Sequence, residues 1–307
     1  MSSGWIAAQV RSRGLARHRL GGPEARRLAG MASLGEALSS LSATPYGTVV
    51  RPDMDLVTAQ RAVSNSVLWN LRVLAGWAPP LGGGIVRLLA GGFELANITA
   101  QGAKISGQPA PEMFALGSLA TVRGLGSARD LGDLRRALAA SPWGDPGVDD
   151  LAGTRLALEL GLARGIAQAI PEAAALATSA AVLIIARSIA AGAPPAAGTP
   201  AAGHARAVLG KGWVGAPSVE QLRRTLAPRL DWVLEGASSA EDLWRCEVRW
   251  WSRLEAESLV LTARALPGPG AVVGVAGLLS SDGWQVRAAL EIAARGGRDA
   301  GVLDDVA

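Results

Sequence analysis

Apolar residues recur along this chain mainly at three- and four-residue spacing, and the period-two runs of half-buried strands are nearly absent. The pattern predicts helices throughout. A first helix over 5–20 carries Arg11, Arg13, Arg17 and Arg19 on its polar side, and Pro23 opens a second helical stretch. Thr44-Pro45-Tyr46-Gly47 should stop it, because the residue before proline avoids the α region and glycine permits a turn. A long helix follows over Leu56–Trp77. Pro79-Pro80 and Gly82-Gly83-Gly84 predict a reversal, with a partner helix from Ile85. The two arms share the text Arg72-Val73-Leu74-Ala75-Gly76 and Arg87-Leu88-Leu89-Ala90-Gly91.

Residues 151–191 read as very apolar helix with Pro171 at a start or kink, and 192–203 as a proline-stiffened, low-complexity linker. Within them, Ala173–Ala186 is apolar apart from Thr178 and Ser179. It is shorter than the roughly 18–20 residues that crossing a bilayer needs, so a buried core helix is expected. Ser239 is placed to cap a helix running to about Ala265; Pro267-Gly268-Pro269-Gly270 ends it, and a last helix covers 271–295.

One phrase occurs twice. Leu34-Gly35-Glu36 through Thr44-Pro45-Tyr46-Gly47 recurs 97 positions later as Leu131-Gly132-Asp133 through Ser141-Pro142-Trp143-Gly144, keeping an acid, a small hydroxyl residue and an aromatic in place. A fainter echo is Leu222-Arg223-Arg224-Thr225-Leu226, set against Leu134–Leu138. Units this long exceed the roughly 20–50 residues of solenoid repeats and predict a few similar helical modules in one larger body. Module bounds are read at about 5–91, 92–191 and 213–295, within a single domain over 1–297 and a flexible tail over 298–307. The fold class expected is all-α.

Composition agrees, with 49% hydrophobic and 18% charged residues, and argues against general disorder. Of the 30 basic residues only Lys104 and Lys211 are lysines. The arginines are spread among acids, so no long basic run marks a nucleic-acid site. Cys246 is the single cysteine, which fits a reducing compartment, and the N-terminus shows no secretory pattern.

Catalytic motifs do not assemble. His18 and His204 are far apart and read as surface residues, and no zinc spacing is present. Gly210-Lys211 is followed by Gly212 where a phosphate-binding loop needs Ser or Thr. Gly268, Gly270 and Gly274 have the wrong spacing for a dinucleotide loop and read as turn and helix-packing glycines. No cofactor, metal or catalytic residue is therefore expected. The densest chemistry lies in Asp242–Glu257, where Trp244, Val248 and Trp251 share a face. Glu241 with Arg245 and Arg253 with Glu257 are spaced to pair. Arg245, Arg249 and Arg253 stand one turn apart beside Trp250. They are the candidate partner interface, since arginine and tryptophan favour contact hot spots.

Three phrases in order give a resemblance. Trp5, Val10-Arg11-Ser12-Arg13 and Leu41-Ser42-Ala43-Thr44-Pro45-Tyr46 come first. Phe93-Glu94-Leu95-Ala96-Asn97-Ile98 with Lys104, Gly107 and Pro109 follows, and Val286-Arg287-Ala288-Ala289-Leu290 comes at the end. Together they resemble the V-type ATPase subunit called d in eukaryotes and C in archaeal-type and bacterial complexes. The chain departs from that pattern at Thr99, Gly102 and Ala103, where the family carries basic residues, and the acid pair usual before the closing helix is reduced to Asp282.

The resemblance implies similar helical subdomains arranged as a funnel or pyramid. It implies a non-catalytic adaptor that joins the central-stalk subunits to the membrane rotor-ring subunits and transmits torque for proton or sodium movement. It also implies a cytoplasmic, peripheral location, with membrane association through partners, no nucleic acid and no small-molecule substrate. Three other classes stay compatible with the residues themselves: a basic helical nucleic-acid-binding protein (pI ≈ 10.1), a scaffold unrelated to an ATPase, and an enzyme with an unfamiliar site.

Overall fold

A computed structural model describes residues 3–264 and 266–297. The described residues form thirteen α-helices joined by short 3-10 turns, with no strand, so the protein is all-α. In chain order the helices are α1 (Ser3–Arg17), α2 (Gly22–Ala29), α3 (Leu34–Leu41), α4 (Leu56–Trp77), α5 (Pro80–Leu89), α6 (Gly91–Ile105) and α7 (Leu131–Ala139). Then follow α8 (Leu151–Ala169), α9 (Ala174–Ala190), α10 (Pro200–Leu209), α11 (Val219–Thr225), α12 (Leu243–Ala263) and α13 (Pro269–Ala294). The expected tail over 298–307 lies outside the described residues.

The chain divides into two compact units, one of residues 1–86 with 251–307 and the other of 87–250. The sequence reading drew three consecutive modules instead. Its first boundary falls close to the crossing at Val86/Arg87. Residues 92–191 and 213–250 belong to one unit, and the C-terminal stretch packs with the N-terminal helices.

In the first unit α13 is the central element, packed by α1, α2, α3 and α4. It is buried almost all round, from Ala271 to Ala293, and Leu28, Leu38, Leu41, Leu71 and Leu74 complete the interior. Glycines let α12 and α13 approach closely. A methyl on Gly274 would lie 2.8 Å from the Ser258 carbonyl oxygen, and one on Gly277 would meet the Ser258 hydroxyl. Gly274 is thus a packing glycine, as expected, whereas Gly268 has open space around it and Gly270 makes only ordinary contacts.

In the second unit α8, α9 and α10 pack together, and α9 is its apolar centre. Ala181, Val182, Ile185 and Ala186 are fully buried there with Leu160, Ala205, Leu222 and Val233. By length and composition Pro171–Ala190 could cross a membrane, yet 61% of its most apolar window is buried inside the fold. A second cluster joins Ile98, Leu134, Leu138 and Leu158.

Two local expectations are corrected. Gly82-Gly83-Gly84 do not make the reversal but lie inside α5, which starts at Pro80. Gly82 serves close packing: a Cβ there would stand 2.8 Å from the Ala78 methyl and 3.2 Å from the Trp5 ring. The low-complexity linker is also shorter than 192–203, because Thr199 accepts from the Ala202 N–H and caps α10 from Pro200.

Candidate functional site

The repeated phrase builds the same object in each unit. Ser33 caps α3 by accepting from the Glu36 N–H, while Glu36 accepts from the Ala32 N–H at 3.2 Å. Asp130 and Asp133 repeat this at α7, where Asp133 accepts from the Arg129 N–H at 3.0 Å. The hydroxyls of Thr44 and Ser141 each donate to the carbonyl three residues back, on Leu41 and Leu138, at 2.7 Å. Each also accepts from the N–H of the aromatic two residues on. Each aromatic then reaches a buried carboxylate on a core helix. Tyr46 Oη donates to Asp282 Oδ2 at 2.8 Å, and Trp143 Nε1 donates to Glu94 Oε2 at 2.8 Å.

The carboxylates complete the parallel. Asp282 accepts from two successive backbone groups, Leu20 N–H at 3.1 Å and Gly21 N–H at 2.7 Å. Glu94 accepts from Thr121 N–H at 2.5 Å and Val122 N–H at 2.9 Å, and from the Thr121 hydroxyl at 2.6 Å. Each acid therefore clamps one connecting segment and one repeat aromatic. Burial raises the Asp282 carboxyl above the usual range, against the hydrogen bonds from Gly21, Tyr46 and Leu20 and the nearby Arg19 charge. The Tyr46 phenol is held well above its ordinary value by burial and by the charge of Asp282.

The closing glycines of the phrase serve different needs. Gly144 adopts φ +76°, whereas Gly47 is required because a Cβ would overlap the Ser42 carbonyl oxygen. The third echo shares the start of the motif only. Ser218 caps α11 by accepting from the Gln221 N–H, and Thr225 donates back to Leu222, but the helix ends at Thr225.

The candidate interface residues take separate roles along α12. Arg245 is exposed, pairs with Asp242 at 3.4 Å and lies 4.6 Å over the Trp244 ring. The i,i+4 partner expected for it was Glu241; Asp242 takes that place because it is also the acid of the Ser239 capping box. Arg249 is partly exposed and donates to the Glu235 carbonyl at 2.7 Å. Arg253 is exposed and pairs with Glu257 at 2.9 Å, as its spacing predicted. Trp250 faces inward, where Nε1 donates to Ser179 Oγ at 3.0 Å and Leu176 O at 3.2 Å. Val248 is buried, Trp251 stacks on Trp284 at 5.4 Å, and Trp244 is 41% exposed, so the three do not share one core face.

The second unit holds a cleft of about 490 Å³ bounded by α8, α9 and the 193–199 loop. Its floor includes Leu156 and Ile184 beside Pro194 and Pro195. Its charged groups are engaged within the fold: Arg155 with Glu159 at 2.7 Å, Arg187 with Glu247, and Asp150 as the α8 cap. His204, expected at the surface, is partly buried, because α10 presents it to α8. There its Nδ1 lies 3.1 Å from Arg164 Nη1. Burial first, and the Arg164 charge second, lower its pKa, which favours a neutral ring that accepts a hydrogen bond from the guanidinium N–H. No group of three or more His, Cys, Asp or Glu suited to a metal occurs among the described residues. Comparison with protein-family models and with curated proteins finds no match to this chain.

Sequence reasoning named Tyr46, Trp143, Glu94 and Asp282 as motif letters but did not pair them. The signal was present in the repeat, where an aromatic kept its place in two otherwise different segments.

Proposed function

We propose that the protein is a non-catalytic adaptor of a V-type ATPase, joining the central-stalk subunits to the membrane rotor ring on the cytoplasmic face and passing torque between them. The observation that carries the reading is where the residues of the resemblance fall. Tyr46 of the first phrase and Glu94 of the second are hydrogen-bonding centres of the two clamps, and the partner of Tyr46 is Asp282, the one acid left before the third. Residues that hold a helical body together are those a mechanical subunit would keep while its surface diverges. The all-α fold and the duplicated clamp support the same reading, since a torque-bearing part gains from buried charged hydrogen bonds that resist sliding.

Arg245 and Arg249 in one unit and Arg253 in the other remain the residues through which acidic partner surfaces would be met. Trp250 acts beneath them as an internal anchor. Affinity purification of the tagged protein from detergent-solubilised native membranes tests the assignment. Catalytic, stalk and ring subunits of one V-type complex should co-purify in fixed stoichiometry. Recovery of the protein without any of them contradicts it.

A further inference from the structure

The first unit carries an apolar, basic end that its own fold does not cover. Gly4 of α1 stands against Pro79, with a Cβ position 3.3 Å from the proline ring, and Gln9 Nε2 donates to the Arg264 carbonyl at 3.1 Å. These contacts bring the start of α1 together with the α4–α5 turn and the end of α12. Ile6, Val10, Trp77, Leu81, Val260 and Leu266 each lie within four residues of one of these contacts, and each is at least half exposed. Isolated apolar residues on a surface need no explanation, but several converging on one end do.

Charge is concentrated on the same elements. Residues 1–23 and 56–86 contain six arginines and no Asp or Glu, while the rest of the chain has 24 basic residues against 26 acids. The chain's positive charge therefore comes from these two segments, and the remainder is net −2. On α1 the solvent-facing residues Ile6, Val10, Arg13 and Arg17 follow one another at i, i+4, i+7 and i+11, an apolar half running into a basic half. On α4 the exposed Trp69 lies under the Arg72 guanidinium at 5.5 Å. The neighbouring α12 acids Glu255 and Glu257 are engaged by Arg19 and Arg253.

We propose that this end of the first unit is a docking face for the surface of an anionic lipid bilayer. Tryptophan and aliphatic side chains would sit at headgroup depth while the arginines meet lipid phosphates. Charge complementarity selects this occupant. A two-fold dimer through the same face would set Arg13 and Arg17 against their own copies. Nucleic acid would match the charge but leave Ile6, Val10 and Leu81 without a partner. The inference rests on this face alone and is independent of the adaptor assignment.

The test is flotation of the purified chain, without partner subunits, with phosphatidylcholine vesicles and with vesicles containing one third phosphatidylglycerol. Binding should be at least about tenfold stronger to the anionic vesicles and should weaken with salt. An arginine near an anionic leaflet raises partitioning about fivefold, so R13E/R17E should lower it by roughly 25-fold or more. R13Q/R17Q should fall between this variant and the natural protein. W77A/L81A should lose binding while retaining its helical circular dichroism, because both side chains are exposed. Equal binding to neutral vesicles, or unchanged binding by these variants, would overturn the proposal. So would a dimer that the variants dissolve, or duplex-DNA binding that survives W77A/L81A.

Discussion

The Tyr46 phenol donates to Asp282 Oδ2 at 2.8 Å across 236 residues of sequence, and the Trp143 indole donates to Glu94 Oε2 at the same distance. Two segments of like sequence thus end in the same bond to a buried acid. That bond makes the duplication structural as well as textual. In each unit it fastens a short capped helix and a connecting segment to a core helix.

Tyr46→Phe should cost about 1.5–3 kcal/mol, the usual loss for a hydrogen bond to a charged group. Trp143→Phe should cost a similar amount, because Glu94 keeps its bonds from Thr121 and Val122. Amide exchange distinguishes the two. The first change should deprotect Leu20 and Gly21, the second Thr121 and Val122, each leaving the other segment protected.

The glycines make opposite predictions. Gly274→Ala should destabilise by about 1–3 kcal/mol, since the added methyl meets the backbone of α12 at 2.8 Å. Gly14→Ala, with open space around it in the last turn of α1, should stabilise by about 0.5 kcal/mol. Chemical denaturation of the two variants measures both signs.

How much of this was legible in sequence follows from the range of each interaction. Helix α4 was readable to the residue because its periodicity, its N-cap Asp55 and the prolines after Trp77 are all local. The glycine triplet was misread because glycine permits both a turn and close packing. The space at Gly82 is closed by the Ala78 methyl and by the Trp5 ring, and Trp5 lies 77 residues earlier. The return of α13 to α1–α4 is likewise non-local, so consecutive modules were drawn where the chain folds back on its beginning. Repetition gave the clamp aromatics their prominence but not their partners, because Glu94 precedes Trp143 by 49 residues and Asp282 follows Tyr46 by 236.

Along α12 the arginines and the tryptophan should separate experimentally. Arg245→Ala and Arg253→Ala remove exposed pairs and should change stability by less than about 1 kcal/mol. Trp250→Ala removes a partly buried ring packed on the core and the indole N–H shared by Ser179 and Leu176, so a loss of about 3 kcal/mol is expected. Thermal or urea unfolding checks both. A large loss from the exposed arginines would show that they serve the fold and not a partner.

His204 makes the second unit sensitive to mild acid. Its pKa is lowered on folding, so the unfolded chain binds the extra proton more readily. The stability carried by the neutral ring is complete above the unfolded value near 6.5. It is lost as pH falls through that value towards the folded one. Unfolding free energies between neutral and mildly acidic pH should decline faster for the natural protein than for His204→Gln. Proton NMR should find His204 titrating below the ordinary histidine value near 6.5.

The adaptor reading meets its most direct test in ATP-driven ion uptake by inverted native membrane vesicles, compared between normal cells and cells lacking this protein. Loss of the adaptor should abolish uptake while the detached catalytic head continues to hydrolyse ATP, and adding back the purified protein should restore coupling. Uptake that proceeds unchanged without the protein would contradict the account.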